Sequence, residues 1–293
     1  KSKPDLVIFN YWHPFFSICL SNIAKKIKYQ LPFVKLISIC HNIKPHETGI
    51  LDSYLTKFYL KNFNFFLLMS KHVEKQLYHY KKNNKSIVRF LPILKNYKSK
   101  FKKNNLRNKY GLSEKSKVIL FFGLIRPYKG LDNLLHSIKT IFKKDNNFKL
   151  IIAGEAYQKL NSYKSIIDKN KFSNQIIWYN HFISNEDIEK LMIVSDLLVL
   201  PYKSASQSGV LSQSWQFNLP SIVTNVGGLS EQVIDGRSGF IVEPNDIKEL
   251  ERKISVFFND KLSDDMINYI KSNKNKYDWS YYLDGIMKLY EST

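Results

Sequence analysis

Residues 118–130, VILFFGLIRPYKG, decide the fold because they contain the end of a strand-like apolar run and the loop that follows it. The apolar run 118–122 stops at Gly123, and Arg126, Lys129 and a second glycine follow before the helix-like segment LDNLLHSIKTIF. A continuous apolar run that leads into a helix is typical of a strand in a parallel sheet that is covered on both faces.

The same alternation of apolar and helix-like segments continues along almost the whole chain. The strand-like segments of the first half are DLVIFN (5–10), FVKLISIC (33–40), FNFFLLMS (63–70) and SIVRFLP (86–92). A polar, lysine-rich connection (95–117) follows, and after it come VILFFG, FKLIIAG, QIIWYN, DLLVLPY, PSIVTN and GFIVEP. Two such blocks predict an α/β protein with two doubly wound, Rossmann-like domains facing across a cleft, which is the default ligand site.

Composition excludes several classes of protein. The 293 residues contain no apolar stretch long enough to span a membrane, and no recognised nucleic-acid motif, so no nucleic-acid partner is expected. Only two cysteines occur, Cys19 and Cys40, which favours a reducing, cytoplasmic compartment. The chain begins KSKPDLVIFN, without an initiator Met or a signal-peptide pattern, and we expect it to start inside a longer protein.

The net charge of +20 is concentrated in the first part of the chain. Residues 1–110 hold 22 basic and four acidic side chains, whereas the remainder holds 23 basic and 21 acidic ones. Such asymmetry indicates an anionic partner, here an anionic membrane surface. The alternative is a compositional bias without spatial meaning, since lysines outnumber arginines 40 to 5.

Gly123, Arg126 and Lys129 form the first candidate site. In an open parallel sheet, ligands bind outside the carboxyl ends of the strands. A glycine there lets a ligand approach the backbone, while a forked guanidinium and a point-like ammonium both suit phosphate oxygens. The helix that follows adds the positive end of its dipole. The pattern predicts a diphosphate clamp; the alternative is a surface loop with two solvated cations.

A second phosphate-directed feature lies within residues 201–246. Small, polar residues precede Gly209, and a helix then begins for which Ser208 is the predicted N-cap. The free N–H groups of Gly209 and Val210 would point toward an anion. This helix is expected to end at Asn218, just before a proline.

These motifs resemble the retaining nucleotide-sugar glycosyltransferases of the GT-B fold (family-4 type) over nearly the whole chain. The matching parts are GLIRPYKGLDNLL, LIIAGEA, SDLLVLPY and LPSIVTNVGGLSEQVIDGRSGFIVEPND. The resemblance implies transfer of a sugar from a nucleotide-diphosphate donor to a glycan or lipid-linked acceptor, with retention at the anomeric carbon. No Asp-x-Asp motif occurs in the sequence, and we expect no metal site and no cofactor.

The resemblance also implies roles for residues of the second half. Arg126 and Lys129 would hold the donor diphosphate and stabilise it as it leaves, above the helix N-terminus at 208–210. The nucleotide base would rest near Ile183. The full set of implied donor-binding residues is Gly123, Ile183, Ser208, Gly209, Val210 and Gln213.

One departure from the family concerns a pair of glutamates near the donor sugar and ribose. Their positions are occupied here by Ala205 and Gln213. The carboxamide of Gln213 can still hydrogen-bond a ribose hydroxyl, whereas Ala205 cannot contact a sugar hydroxyl. We interpret this as a subfamily variation. The alternative is a non-catalytic GT-B-fold protein that binds an anionic surface or a nucleotide.

The first half of the chain supplies candidates for the acceptor side. His41 and Asn42 follow a strand where the family places a histidine beside the reacting sugar, although a structural histidine is the simpler reading of such a position. Trp12 and His13 follow another strand, where sugar stacking and core packing are both open. Ser70 ends a third strand and is expected to line the cleft.

The resemblance also divides the chain into functional parts. Residues 1–105 are predicted to form an acceptor-side domain that lacks an early αβ segment of the family, and residues 106–276 a nucleotide-sugar-binding domain. Residues 277–293 are expected to form a helix that packs back on the first domain. We expect a cytoplasmic enzyme that associates peripherally with the inner face of the membrane.

Overall fold

The computed structural model describes residues 3–44, 49–94, 98–157, 159–260 and 262–292. Two units can be separated within it: Lys1–Pro92 with Ala205–Gln207 and Lys276–Thr293, and Ile93–Ser204 with Ser208–Asn275. Each unit carries its own parallel sheet, so the predicted α/β class with two Rossmann-like domains is confirmed. Within the described ranges, no helix has the length and apolar character that crossing a membrane would need.

The first unit contains a four-stranded parallel sheet in the order β1-β2-β3-β4. Its elements from the first part of the chain are β1 (Leu6–Tyr11), α1 (Ser17–Gln30), β2 (Lys35–Cys40), α2 (Asp52–Leu60), β3 (Phe65–Leu68), α3 (Lys71–Tyr80) and β4 (Lys85–Val88). Tyr11 lies level with Cys40, and Cys40 with Leu68. The loops after β1, β2 and β3 therefore start from one edge of the sheet.

The second unit contains a six-stranded parallel sheet in the order β10-β9-β8-β5-β6-β7. Its strands are β5 (Lys117–Phe122), β6 (Phe148–Ala153), β7 (Ile176–Tyr179), β8 (Leu197–Leu200), β9 (Ser221–Thr224) and β10 (Gly239–Val242). Its helices are α4 (Lys103–Lys109), α5 (Leu131–Ser137), α6 (Lys139–Lys144), α7 (Asn161–Asn170), α8 (Asn185–Val194), α9 (Gly209–Gln216), α10 (Ile247–Asn259) and α11 (Ser263–Ser272). The strand order reverses between β5 and β8, and a crevice for ligands opens at such a switch point.

The polar connection predicted at 95–117 needs correction. Residues 95–97 lie outside the described residues, and α4 follows with its Arg107 side chain buried. The guanidinium of Arg107 donates to the Val194 carbonyl at 3.1 Å and to Asp196 Oδ2 at 2.7 Å. Residues 98–117 therefore belong to the second unit, and the predicted domain boundary at residue 105 falls inside a helix of that unit.

The last helix, α12 (Trp279–Glu291), covers one face of the sheet in the first unit. Its apolar side chains pack in a cluster with those of β2 and β3: Ile37, Ile39, Leu67, Met69, Tyr282, Ile286 and Leu289. Lys35 Nζ donates to the carbonyl oxygens of Tyr290 and Ser292, at 2.6 Å each. Because the C-terminal carbonyls of a helix lack intrahelical partners, this ammonium caps α12 onto β2.

Candidate functional site

Gly123 ends β5, beside the switch point of the second sheet, with a φ of +117° that side chains rarely tolerate. A β-carbon at this position would stand 3.1 Å from Lys129 Nζ and 3.6 Å from Val210 Cγ2. Because Gly123 has no side chain, both the Lys129 ammonium and Val210, in the first turn of α9, can lie close to its backbone. The predicted diphosphate clamp brings together its glycine, its lysine and the start of α9.

Lys129 is held in place by Tyr202, which follows β8. The Lys129 ammonium donates to the Tyr202 hydroxyl oxygen at 2.8 Å and lies 4.5 Å from the centre of its ring. Tyr202 itself is 2% exposed. Sequence reasoning missed Tyr202, although its position at the end of the strand next to β5 was a usable signal.

Arg126, the second cation of the clamp, packs on an aromatic ring. Its guanidinium lies 5.3 Å from the centre of the Tyr157 ring, and the Tyr157 hydroxyl donates to Glu155 Oε2 at 3.0 Å. Stacking of this kind orients the flat guanidinium and leaves its N–H groups available to an anion. The side chain of Arg126 is half-buried, so the loop presents a cation that is oriented without being enclosed.

A cavity of about 220 Å³ opens beside Gly123, at the ends of β5 and β6. Its lining residues are Phe122, Gly123, Leu124, Gly154, Glu155, Phe182, Ile183, Asn185 and Ile188. Ile183, predicted near the nucleotide base, is thus placed next to the clamp glycine. The lining is mainly apolar, which suits the flat face of a base, while Glu155 and Asn185 add polar groups that were not predicted.

The start of α9 differs in one detail from the prediction. Ser208 occupies the N-cap position with extended backbone, but its side chain makes no capping hydrogen bond. The helix begins at Gly209 as predicted, and Asn218, in the left-handed conformation at φ +57°, follows its end. The first N–H groups of a helix have no partner within the helix. Val210, in the first turn of α9, lies next to Gly123. Gln213 lies half-buried further along this helix.

The predicted acceptor-side residues gather at the carboxyl edge of the first sheet. His41 follows β2 and donates its backbone N–H to the Tyr11 carbonyl at 2.9 Å, and the Asn42 amide reaches the Trp12 carbonyl at 3.5 Å. His13 caps a short 3-10 turn, where its Nδ1 accepts from a backbone N–H at 3.2 Å. Trp12 is 49% exposed, so its ring is available at the surface instead of being core.

His41 and Ser70 have different surroundings at this edge. Burial lowers the pKa of the His41 imidazole, which keeps the ring neutral and able to accept a proton at neutral pH. Ser70 is fully buried; its hydroxyl accepts from the Val73 N–H at 3.2 Å and donates to the Ser206 carbonyl at 3.1 Å. The Ser70 hydroxyl is therefore engaged in structure: it caps α3 and anchors the segment 205–207, which includes the buried Ala205.

No group of three or more His, Cys, Asp or Glu side chains suited to a metal ion occurs among the described residues. The charged groups near Gly123 are the Lys129 ammonium and, in the lining of the adjoining cavity, Glu155, while Arg126 lies three residues further along the same loop. The second unit thus contains the backbone of Gly123, the cations of Arg126 and Lys129 and the N-terminus of α9, and a mainly apolar cavity lies beside Gly123. Chemically, this arrangement suits a diphosphate that carries an aromatic base.

The two parallel sheets define an α/β fold of the GT-B type. Residues 102–273, more than half of the chain, match the family described as "Glycosyl transferases group 1", and the protein belongs to this family. The HepE structure of Anabaena in complex with UDP and glucose has the same fold, with a TM-score of 0.81 at 16% identity over 99% of this chain and 78% of HepE.

Two curated relatives are similar to this chain over more than half of its length. An uncharacterised glycosyltransferase of Methanocaldococcus jannaschii is 33% identical over 174 residues, which cover 59% of this chain and 47% of the relative. The capsular polysaccharide biosynthesis glycosyltransferase CapM of Staphylococcus aureus is 30% identical over 168 residues, 54% of this chain and 41% of CapM. The chain thus spans about half the length of the curated relatives it matches.

Proposed function

We propose that the protein transfers a sugar from a nucleotide-diphosphate donor to a glycan or lipid-linked acceptor, with retention at the anomeric carbon. One observation carries the proposal: Lys129 Nζ lies beside the bare backbone of Gly123, against the first turn of α9. Two sources of positive potential, the Lys129 ammonium and the N-terminus of α9, thus lie close to Gly123 at the switch point of the sheet. A departing diphosphate, whose negative charge grows as the glycosidic bond breaks, is the group that such a site stabilises best.

The proposed residue roles follow from this geometry. Arg126 and Lys129 bind the diphosphate oxygens and stabilise them as the bond to the sugar breaks. The cavity at Ile183 receives the base, and Gln213 serves the ribose. His41, neutral in its buried position, is assigned to hydrogen-bond the reacting sugar. No divalent metal takes part in this proposal.

Named relatives support the choice of substrates. HepE has been solved with UDP-glucose, and CapM is named for capsular polysaccharide biosynthesis. Another relative, from Salmonella typhimurium, is a lipopolysaccharide 1,2-N-acetylglucosaminetransferase. A nucleotide-sugar donor of the hexosyl type and a glycan or lipid-linked acceptor are therefore the first to try.

The experiment begins with thermal unfolding in the presence of UDP, GDP, ADP, CDP and TDP and of their sugars. A ligand that binds only the folded state raises the unfolding temperature, and we expect one nucleotide to do so far more than the others. Donor hydrolysis and transfer are then measured with that nucleotide's sugars, with and without EDTA. Turnover that survives EDTA supports the proposal. Loss of turnover in EDTA, restored by Mg²⁺ or Mn²⁺, contradicts the metal-free mechanism.

The same experiment separates the enzyme from the non-catalytic alternative. That alternative is favoured by Ala205, which leaves no carboxylate at the position where the family commonly has one. If the protein is a non-catalytic binding protein, it should bind a nucleotide but neither hydrolyse a nucleotide-sugar donor nor transfer its sugar. Retention itself is read from the anomeric configuration of the product by NMR.

We also propose that the first unit docks on an anionic membrane surface. A lysine cluster, defined as Lys25, Lys28, Lys61 and Lys81, forms where α1, α2 and α3 end. Lys25 and Lys61 both lie over the Phe58 ring, at 4.8 and 4.5 Å from its centre. Burial, together with the nearby Lys28 ammonium, lowers the pKa of Lys81. These four lysines therefore lie near one another.

Exposed apolar side chains add a second attraction to a bilayer. Phe15, Ile18 and Ile23 are exposed on α1 or just before it. Each basic residue near an anionic bilayer contributes about 1 kcal/mol, and buried apolar area adds to this. Peripheral docking of this kind would bring a lipid-linked acceptor to the protein.

We expect the protein to co-sediment with vesicles that contain anionic lipid, and to be released as salt rises, because the Debye length falls to about 8 Å at 0.15 M. Lys25→Glu with Lys61→Glu should weaken binding, since these two lysines make ring contacts and are exposed. The matched control is Lys164→Glu with Lys169→Glu, the same charge change on exposed positions of α7. If wild type ignores anionic vesicles at low salt, or both pairs weaken binding equally, the docking proposal is wrong.

A further inference from the structure

We propose that Tyr202 is a positioning residue, whose hydroxyl holds the Lys129 ammonium in place for the donor diphosphate. The inference rests on the proposed function, because it assigns to Tyr202 the orientation of the cation that binds the leaving group. The inference comes from the contacts around the lysine.

Lys129 has a single well-defined position between Tyr202 and Gly123. Its Nζ is 2.8 Å from the Tyr202 hydroxyl oxygen and 4.5 Å from the ring centre. The same Nζ is 3.1 Å from the point where a side chain on Gly123 would begin. An ammonium has three N–H donors, and the tyrosine takes one of them. The other two are left for phosphate oxygens above the glycine.

Tyr202 can impose this position because it is itself fixed. The side chain is buried, and its ring packs edge-on against Tyr128 with 6.2 Å between the ring centres. The Tyr202 carbonyl accepts from Thr224 Oγ1 at 2.6 Å, which ties the residue to the end of β9. In addition, the Lys203 N–H donates to the Tyr128 carbonyl at 2.6 Å. This hydrogen bond connects the clamp loop, residues 123–130, to the segment after β8.

The physical effect is preorganisation. A lysine side chain has four rotatable bonds, and an unrestrained one must lose that freedom when it binds a phosphate. Here the ammonium is already oriented before any ligand arrives, so less conformational entropy is lost on binding. The competing explanation is that Tyr202 is a core tyrosine whose hydroxyl uses the lysine only to satisfy its own hydrogen bond.

The two explanations are separated by a double-mutant cycle of Tyr202→Phe and Lys129→Ala. Tyr202→Phe keeps the ring and removes only the hydroxyl. With Lys129 present, we expect the affinity for the selected nucleoside diphosphate to fall by about fivefold to tenfold, which is within the range for the loss of one ordinary hydrogen bond. In the Lys129→Ala background, the same change should have no effect on affinity, because there is no ammonium left to position.

Tyr59→Phe is the matched control. Tyr59 is also a buried tyrosine, and its hydroxyl bonds Ser38 at 2.7 Å in the first unit. Its removal is expected to lower stability and to leave nucleotide affinity unchanged in both lysine backgrounds. Urea unfolding of every variant shows which effects are merely losses of stability.

Affinity is measured by calorimetric titration with the nucleoside diphosphate that gives the largest shift in the thermal panel. Because this readout does not need turnover, a protein that binds nucleotide without transferring sugar refutes the proposed enzyme but still tests Tyr202. Equal effects of Tyr202→Phe with and without Lys129, or no effect in either, overturn the positioning role. A wild-type protein that binds none of the five nucleotides overturns it as well.

Discussion

Replacing Arg126 with alanine is expected to lower kcat/KM for sugar transfer at least tenfold while the protein stays folded. A charge-assisted hydrogen bond contributes about 1.5–3 kcal/mol, and about 1.4 kcal/mol corresponds to a factor of ten in rate. The guanidinium is half-buried and its aromatic contact is with the exposed Tyr157, so its removal leaves no cavity in the core. The loss should therefore appear in turnover and not in stability.

Arg252→Ala is the matched control for this prediction. Arg252 lies on α10, is well exposed, and forms a 3.5 Å ion pair with Glu249 on its own helix. Both variants lower the net charge by one, so a general electrostatic effect would act on both. Steady-state kinetics on the selected donor, with urea unfolding alongside, make the comparison. Wild-type kcat/KM in a folded Arg126→Ala protein would refute the clamp.

Gly130→Ala is expected to cause the largest loss of stability among single substitutions in the clamp loop. Gly130 has φ +68°, and a β-carbon there would collide with the carbonyl oxygen of Pro201. The left-handed backbone alone costs an alanine about 1 kcal/mol. Relief of the collision requires a backbone shift at the end of β8, so we expect a total loss of about 3–5 kcal/mol in the free energy of unfolding.

The chain offers a control with nearly the same backbone angle and no collision. Gly236 has φ +73°, and a β-carbon there would meet nothing within 4 Å. Gly236→Ala therefore isolates the cost of the left-handed conformation, and the difference between the two variants measures the contact with Pro201. Chemical denaturation gives both numbers. Equal losses would show that the approach of the loop to Pro201 does not matter for stability.

The strands and the clamp could be predicted because their signals are local. A buried parallel strand is a short apolar run, and the site lies where such a run stops, at Gly123. Arg126 and Lys129 are close to this glycine in sequence, so position along the chain was enough to group them. The start of α9 at Gly209 was likewise visible as a small, polar stretch before a helical pattern.

What sequence reasoning missed depends on contacts between distant residues. The residues next to Lys129 in the sequence do not indicate that Tyr202 will hold its ammonium. Likewise, the residues next to Arg107 do not indicate its hydrogen bonds to Val194 and Asp196. A polar, lysine-rich composition suggested a loose connection where α4 packs instead, because the buried arginine has partners that only the fold supplies. The Ser208 side chain was expected to cap α9. The sequence does not show in which direction a side chain turns, so it could not reveal that this side chain makes no capping hydrogen bond.

The attachment of α12 to the first sheet has a consequence for biosynthesis. This helix leaves the ribosome after the entire second unit, yet it covers Ile37, Leu67 and their neighbours, which are made before that unit. Until then, one apolar face of that sheet has no partner, and Lys35 lacks the carbonyl groups it caps. The second unit can complete its own core during synthesis, whereas the first must wait for the arrival of distant residues. Until α12 has been made, the nascent chain therefore exposes an apolar surface to which chaperones can bind.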